Sequence, residues 1–205
     1  VRHLDAVETL GSVQVFCMDK TGTLTINKMS VVAVYGGGQA FKVSEHHFTA
    51  DGEPVDPMDR DELTRLMQVM SLCSETEVQG PPGEWRLEGS ATENALVDVA
   101  LNAGIDVVAM RGGWPMLKTR FRSEGRPFMS SLHPYRDGKH LLAVKGSPAE
   151  VLALCNHQMK GGKKVRLTEN MRAEILAANE RMAGDALRVL GAAFRELSEA
   201  QMPDK

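Results

Sequence analysis

Residues 17–25 read Cys-Met-Asp-Lys-Thr-Gly-Thr-Leu-Thr and combine side chains that suit phosphoryl chemistry. The apolar run of residues 13–18 predicts a buried strand that delivers Asp19 to the end of a sheet. Lys20 follows, and the hydroxyl and backbone N–H groups of residues 21–23 can surround a phosphoryl group. A carboxylate in this setting can act as a nucleophile and form an acyl phosphate. The alternative is an ordinary junction between a strand and a loop.

The heptad that begins at Asp19, Asp-Lys-Thr-Gly-Thr-Leu-Thr, resembles the phosphorylation signature of the P-type ion-pumping ATPases. The resemblance implies that Asp19 attacks the γ-phosphate of ATP and that Lys20 supplies positive charge. It also implies that the Asp19 carboxylate and the Thr21 carbonyl share a Mg²⁺ ion. Related dehalogenase-like phosphatases place a general acid/base Asp two residues after the nucleophile. Thr21 stands there and cannot titrate near neutral pH, so we expect slow hydrolysis of the acyl phosphate.

The stretch Gly-Ser-Ala-Thr-Glu-Asn-Ala-Leu, residues 89–96, resembles part of the ATP site of these pumps. By this resemblance Glu93 reaches the amino group of adenine and Thr92 lies nearby. The spacing from Ser90 to Glu93 also fits a capping box, in which Glu93 closes the start of a helix. One helix terminus could serve both purposes.

Phe121 and Arg126 belong to a second stretch that resembles the ATP site, Phe-Arg-Ser-Glu-Gly-Arg. The Phe121 ring can offer a stacking face to adenine, and Arg126 can meet a phosphate. The family usually has Lys at the position of Arg126; Arg keeps the charge and adds a planar fork of donors. The alternative for Phe121 is an ordinary core residue on a strand.

The stretch Lys-Gly-Ser-Pro-Ala-Glu, residues 145–150, resembles the Lys-Gly-Ala-Pro-Glu motif of the family. Lys145 ends a predicted buried strand and is expected to project into the nucleotide pocket, where Gly146 lets the backbone approach a ligand. Ala149 stands where the family has Glu. We interpret Ser147 and Glu150 as a capping box with Pro at the first helical position.

Arg188 lies in the stretch Leu-Arg-Val-Leu, which is predicted to belong to a final strand. A cation among apolar strand residues is costly to bury unless it is paired. The resemblance implies that Arg188 contacts the nucleotide phosphates; the alternative is a salt bridge to Asp185. We interpret the basic segment 160–164 as a solvated hairpin tip.

The overall composition excludes several classes of protein. The chain has 205 residues, of which 42% are hydrophobic, and a net charge of −3, so it is globular and is not expected to bind nucleic acid. Three widely spaced cysteines indicate a reducing compartment and no metal site of their own. No apolar run approaches the roughly 18 residues of a membrane span.

The periodicity of apolar residues predicts a mixture of strands and helices, that is, an α+β fold. A β-hairpin is expected first, ended by a polar segment with Gly52 and Pro54, and a loop is expected over residues 74–85. The remaining predicted strands are residues 116–121, 128–133, 141–144 and 187–194. The predicted helices are residues 59–73, 90–103, 147–155 and 168–183.

The resemblance implies two parts of a larger cytosolic assembly. Residues 1–27 are expected to be a short piece of a Rossmann-like phosphorylation domain, and residues 28–205 a nucleotide-binding domain with an antiparallel sheet flanked by helices. The function implied is ATP binding in a membrane-bound, cation-transporting P-type ATPase of the calcium- and sodium-pump-like branch. This piece faces the cytoplasm, and its partners are ATP and the remaining phosphorylation, actuator and transmembrane domains.

The same resemblance implies that the transported cation is bound by transmembrane residues and not by this chain. Two alternatives remain open for the function. One is a stand-alone regulatory module that binds nucleotide without phosphorylation of Asp19. The other is a fragment of a dehalogenase-like phosphatase. On the leading interpretation, this piece alone is expected to bind ATP without hydrolysing it.

Overall fold

A meander of four antiparallel strands opens the part of the chain that the structure, a computed structural model, describes: residues 28–199. Two-residue turns join the strands, and in the turns at Glu45–His46 and Asp51–Gly52 both residues have positive φ, between 48° and 89°. Turns of this kind match the twist of antiparallel strands. The meander runs in the order β1 (Ala33–Gly36), β2 (Gln39–Ser44), β3 (His47–Ala50) and β4 (Glu53–Val55).

The predicted first hairpin is confirmed, but the prediction that a polar segment ends it was wrong. Phe48 and Ala50 are buried while their neighbours are more exposed, so β3 adds a third strand to the buried apolar face of the sheet. The Asp51–Gly52 pair then turns the chain into β4. Pro54 is tolerated because β4 is an edge strand.

The second sheet is also antiparallel and has four strands. Their spatial order is β12-β9-β8-β7, with β7 (Lys118–Arg120), β8 (Phe128–Pro134), β9 (His140–Gly146) and β12 (Gly191–Leu197). The register pairs Met129 with Lys145 across β8 and β9. Strand β7 is an edge, and the predicted strands at 116–121, 128–133 and 141–144 are confirmed within a few residues. We refer to this sheet as the central sheet.

Five helices accompany the sheets in the described part of the chain. The four predicted helices are confirmed, and a short fifth one, α3, was missed; its cap is Asp106, whose side chain accepts a bond of 2.8 Å from the Ala109 N–H. Among residues 28–199, no helix combines the length and apolar character needed to cross a bilayer. The helices are α1 (Asp61–Leu72), α2 (Ala91–Asn102), α3 (Val107–Gly113), α4 (Pro148–Ala153) and α5 (Glu169–Gly184).

Two small hairpins complete the described elements. Strands β5 (Glu77–Gln79) and β6 (Arg86–Glu88) pair where the sequence predicted a loop, because Val78 and Leu87 face each other and pack on the core. Strands β10 (His157–Lys160) and β11 (Lys163–Arg166) confirm that the basic segment forms a hairpin tip.

Helix α1 joins the meander to the central sheet because it is apolar on two sides. Leu63 and Met67 pack with the meander and α2, whereas Val69 and Cys73 pack against the central sheet. Burying a side chain of this size contributes about 1.5–3 kcal/mol. The α+β fold, with antiparallel sheets flanked by helices, is therefore confirmed. The division into residues 1–27 and 28–205 stays a prediction, since residues 1–27 lie outside the described part.

A buried histidine ties the central sheet to the end of α3. His133 on β8 is 1% exposed; its Nδ1 donates to the Trp114 carbonyl at 2.9 Å and its Nε2 accepts from the Ser131 hydroxyl at 2.8 Å. Burial lowers the pKa of His133 below its usual 6.5, although the carbonyls of Trp114 and Pro115 raise it in part. His133 therefore binds a proton more readily in the unfolded chain than in the folded chain.

We predict that the free energy of unfolding decreases as the pH falls below about 6.5, the ordinary histidine pKa. The contribution of neutral His133 is complete above that pH and is lost progressively below it. Urea unfolding at pH 7.5 and 5.5 measures this, with His133→Gln expected to flatten the dependence. The exposed His157→Gln is the control; an equal flattening in that variant would contradict the assignment.

Candidate functional site

A buried ion pair stands at the centre of the predicted site. Lys145, at the end of β9, is only 4% exposed, and its Nζ donates to both carboxylate oxygens of Glu93, at 2.6 and 2.5 Å. Glu93 lies on the first turn of α2, and its side chain is 23% exposed. A buried ammonium group is costly unless it is paired, so each residue accounts for the other.

The N-terminus of α2 follows half of the predicted capping box. The Ser90 hydroxyl accepts a bond of 3.3 Å from the Glu93 N–H, as the pattern predicts. The Glu93 side chain reaches Lys145 instead of returning to the backbone of Ser90. Ser90 thus caps the helix, while the Glu93 carboxylate pairs with Lys145.

Thr92 joins the ion pair to Arg188. The Arg188 guanidinium donates to the Thr92 hydroxyl at 3.5 Å, the outer limit of a hydrogen bond, while the Thr92 hydroxyl itself donates to the Met29 sulfur at 3.3 Å. The contact between Arg188 and Thr92 crosses 96 positions of sequence. It places Arg188 beside the α2 terminus rather than against Asp185, which was the alternative.

The prediction that Arg188 lies on a strand was wrong, because β12 begins only at Gly191. Helix α5 ends at Gly184; two residues later Ala186 has φ +58, and the Leu187 N–H bonds back to the Met182 carbonyl at 3.1 Å. This left-handed ending turns the chain before the strand starts. Arg188 therefore sits in an exposed connection, where it needs no buried partner.

Gly146 is required by the packing of strands. A Cβ on Gly146 would collide with the Cα of Phe128 and the carbonyl of Pro127, and the Ser147 N–H bonds that same carbonyl at 2.9 Å. The space beside this glycine is thus filled by β8 and the residue before it. Close approach of a ligand to Gly146, which the sequence suggested, stays a prediction.

Phe121 is offered to solvent at the same end of the central sheet as Lys145. It follows β7 directly and is 54% exposed, which argues against the alternative of a core residue. The register pairs Arg120 with Ser130, and the residue before Ser130 in β8, Met129, pairs with Lys145. An exposed ring at this place suits stacking on a flat ligand.

Arg126 closes the turn that follows Phe121. Its Nη2 donates to the Phe121 carbonyl, its backbone exchanges two bonds of 3.0 Å with Ser123, and its guanidinium lies 5.7 Å from the centre of the Phe128 ring. The Nε atom is buried and has no partner among the residues that the structure describes. Arg126 thus holds the turn and retains an unused donor.

The remaining predictions concern residues outside the described part or a cap. Asp19, Lys20 and Thr21, with the Mg²⁺ site assigned to Asp19 and Thr21, lie outside residues 28–199. Within that range, no group of three or more His, Cys, Asp or Glu side chains is placed to hold a metal ion. The capping box at Ser147 was half wrong. Ser147 is the cap and Pro148 follows, but in the described structure the Ser147 hydroxyl makes no cap bond.

Sequence reasoning missed Arg111 on α3, whose positive charge interacts with the negative charge of Glu93. Its guanidinium donates to the carbonyls of Ser71 and Thr76, and it lines a cleft of about 210 Å³ with Trp114. Burial lowers the pKa of Arg111, and the negative charge of Glu93 raises it in part. A lone Arg near the end of a short helix usually faces solvent, so no local pattern could have identified it.

Comparison with known proteins identifies the family of the chain. The family model for the P-type ATPase cytoplasmic domain N matches residues 62–205, so the chain belongs to this family. It is 27% identical to a calcium-transporting ATPase of Bacillus subtilis over 99% of this chain and 24% of that protein. It is 32% identical to a calcium-transporting ATPase of Listeria monocytogenes over 96% of this chain and 21% of that protein.

A further relative comes from an animal. The chain is 31% identical to the alpha-B subunit of a sodium/potassium-transporting ATPase of Artemia franciscana, over 93% of this chain and 20% of that protein. The chain thus spans about a quarter or less of the length of these relatives. The resemblance inferred from the heptad and the four stretches is confirmed at the level of the family.

The ion pair predicts a specific pattern of stabilities. Lys145→Met leaves the partly buried Glu93 carboxylate without its partner and should lower the free energy of unfolding by about 1–3 kcal/mol. The double variant Lys145→Met/Glu93→Gln removes both charges and should recover part of this loss. Urea unfolding of the parent, of Lys145→Met, of Glu93→Gln and of the double variant provides the double-mutant cycle.

The matched control is Lys139→Met, because Lys139 forms a more open pair with Glu196 at 3.6 Å, with side chains 48% and 40% exposed. Its loss should change stability by less than about 1 kcal/mol. Equal effects of the two lysine variants would show that the Lys145 pair contributes no more than a surface pair.

Proposed function

We propose that this chain binds ATP as the cytosolic nucleotide-binding part of a P-type ATPase that transports a cation across a membrane. In the longer protein ATP phosphorylates Asp19, and the phosphorylated state drives transport. The observation that carries this proposal is that three separate sequence stretches meet at the start of α2: Lys145 bonds Glu93, and Arg188 bonds the neighbouring Thr92.

The chemistry of the cluster suits an adenine nucleotide. The Glu93 carboxylate can only accept hydrogen bonds, and the exocyclic amino group of adenine donates them. Phe121 offers an exposed ring at the same end of the sheet, on which the base can stack. Arg188 and Arg126 supply positive charge and planar donors for the phosphates, the geometry that guanidinium groups favour.

Phosphorylation is assigned to residues 19–21 by the heptad. Asp19 is the proposed nucleophile, Lys20 neutralises charge, and Mg²⁺ is proposed to bind the Asp19 carboxylate and the Thr21 carbonyl. The partners are the rest of the phosphorylation domain, the actuator domain and the transmembrane domain of the same protein. Relatives named as calcium- and sodium/potassium-transporting ATPases support a cation as cargo, bound outside this chain.

A nucleotide series tests the proposed adenine site. Phe121→Ala should weaken ATP, ADP and AMP by similar factors, because all three share the base; a stacking contact contributes about 1–3 kcal/mol. Arg126→Ala should weaken ATP more than AMP, since its proposed partner is a distal phosphate. Isothermal titration of the parent 205-residue chain and of both variants with each of the three nucleotides measures these affinities.

Leu117→Ala is the matched control for Phe121, because Leu117 is 55% exposed on the same edge of the sheet. Arg126→Lys retains the charge and should restore the preference for ATP. If Phe121→Ala leaves the three affinities unchanged, adenine is bound by other side chains. If no variant of the cluster affects ATP binding, the proposed site is wrong.

Phosphorylation of Asp19 requires a test in the longer protein. Incubation with γ-labelled ATP should give an acid-stable, hydroxylamine-sensitive phosphoprotein, because the product is an acyl phosphate. Asp19→Asn should abolish the label while the nucleotide-binding domain still binds ATP. ATP binding without any label would favour a regulatory nucleotide-binding module, and rapid turnover of simple phosphate esters would favour a dehalogenase-like phosphatase.

A further inference from the structure

Arg111 is directed into the protein from α3 and binds two backbone segments. Its Nε and Nη2 donate to the Ser71 carbonyl, at 3.2 and 2.7 Å, and its Nη1 donates to the Thr76 carbonyl at 2.5 Å. Ser71 lies in the last turn of α1, whose carbonyls have no partners within the helix. Arg111 therefore fixes the end of α1 and the chain that leaves it.

Thr76 transmits this constraint to the start of α2. Its hydroxyl donates to the Asn94 side-chain carbonyl at 3.0 Å, and the Asn94 amide donates to the carbonyls of Leu87 and Gly89, at 3.3 and 3.2 Å. Thr76 is 1% exposed, so its hydroxyl has no water to replace this bond. Arg111, Thr76 and Asn94 therefore form a continuous hydrogen-bonded path from α3 to the α2 terminus.

Gly89 shows how closely this path is packed. A Cβ at Gly89 would lie 2.6 Å from the Thr76 hydroxyl and 2.8 Å from the Asn94 side-chain oxygen, closer than a Cβ tolerates. Gly89 immediately precedes Ser90, the cap of α2, and Glu93 follows on the first turn. The position of the Glu93 carboxylate is therefore set by contacts behind it as well as by Lys145.

We propose that Arg111 is a positioning residue of the nucleotide site, which acts through Thr76 and Asn94 to fix the α2 terminus and the Glu93 carboxylate. The proposal rests on the proposed function, since it takes Glu93 as the group that meets adenine. Arg111 is already bonded to two carbonyls and is not offered as a ligand contact. Burial lowers the pKa of Arg111, and the negative charge of Glu93 raises it in part.

A double-mutant cycle tests the proposal on the 205-residue chain. Arg111→Met should weaken ATP, ADP and AMP equally, on the order of 3- to 10-fold, the size expected for coupling through neighbouring groups. The same change in a Glu93→Gln background should have little further effect, because the group that Arg111 positions is already altered. Thr76→Val, which removes only the hydroxyl, should reproduce part of the loss.

Arg111→Lys and Arg166→Met are the controls. A lysine at position 111 can reach one carbonyl but not both, so its affinity should fall between those of the parent and Arg111→Met. Arg166 is exposed on the β10–β11 hairpin, and its loss should leave all three affinities within about twofold of the parent. Amide chemical shifts of residues 90–94 in the nucleotide-free chain should move in Arg111→Met and Thr76→Val but not in Arg166→Met.

The outcomes separate this inference from the proposed function. If Arg111→Met and Thr76→Val lower the melting temperature but keep the parent affinities, their role is only structural and the inference is overturned. If Arg111→Met proves too unstable to titrate, Thr76→Val alone decides in the same way. If Glu93→Gln and Phe121→Ala themselves leave ATP binding unchanged, the proposed adenine site fails, whatever the Arg111 variants do.

Discussion

The ion pair between Lys145 and Glu93 is the constraint on which the rest of the site depends. It joins the central sheet to the first turn of α2, two elements whose paired residues are 52 positions apart in sequence. A charge as deeply buried as the Lys145 ammonium is tolerated only with a close partner, so the helix terminus and the sheet cannot shift independently. Thr92 and Arg188 are positioned by the same turn of α2.

The fold supports this contact by packing α1 between the two sheets. One side of α1 contributes Leu63 and Met67 to the core beneath the meander; the other contributes Val69, with Cys73 directly after the helix, to the core of the central sheet. Core side chains of this kind pack as densely as organic crystals and fix neighbouring elements closely. Arg111 on α3 then bonds the carbonyls of Ser71, at the end of α1, and of Thr76. The short segment between these two residues, which leads toward α2, is therefore fixed at both ends.

The sequence predicted those features that depend on local patterns and missed those that depend on contacts between distant segments. The Ser90 cap and the long helix capped by Thr168 are local, and both are observed. The turn at Asp51–Gly52 carried a hairpin signal that the nearby prolines obscured. Arg188 was misplaced because a left-handed residue, Ala186, ends α5 where apolar residues suggested a strand. Nothing in the sequence around Arg111 indicates its two carbonyl partners, since they lie 35 and 40 positions away.

The geometry of the ion pair also divides the work between the cations of the site. A carboxylate has about four acceptor positions, and Lys145 uses one on each oxygen, so Glu93 can accept a further donor without losing its partner. A phosphate bound by Lys145 would have to draw the ammonium away from Glu93 or reach a group that is 4% exposed. Arg188 is exposed, whereas Arg126 is half-buried and its Nε atom is buried without a partner among the described residues. Under the proposed function, Lys145 is therefore better suited to hold Glu93 in place, and the exposed Arg188 is better suited than Lys145 to meet the phosphates.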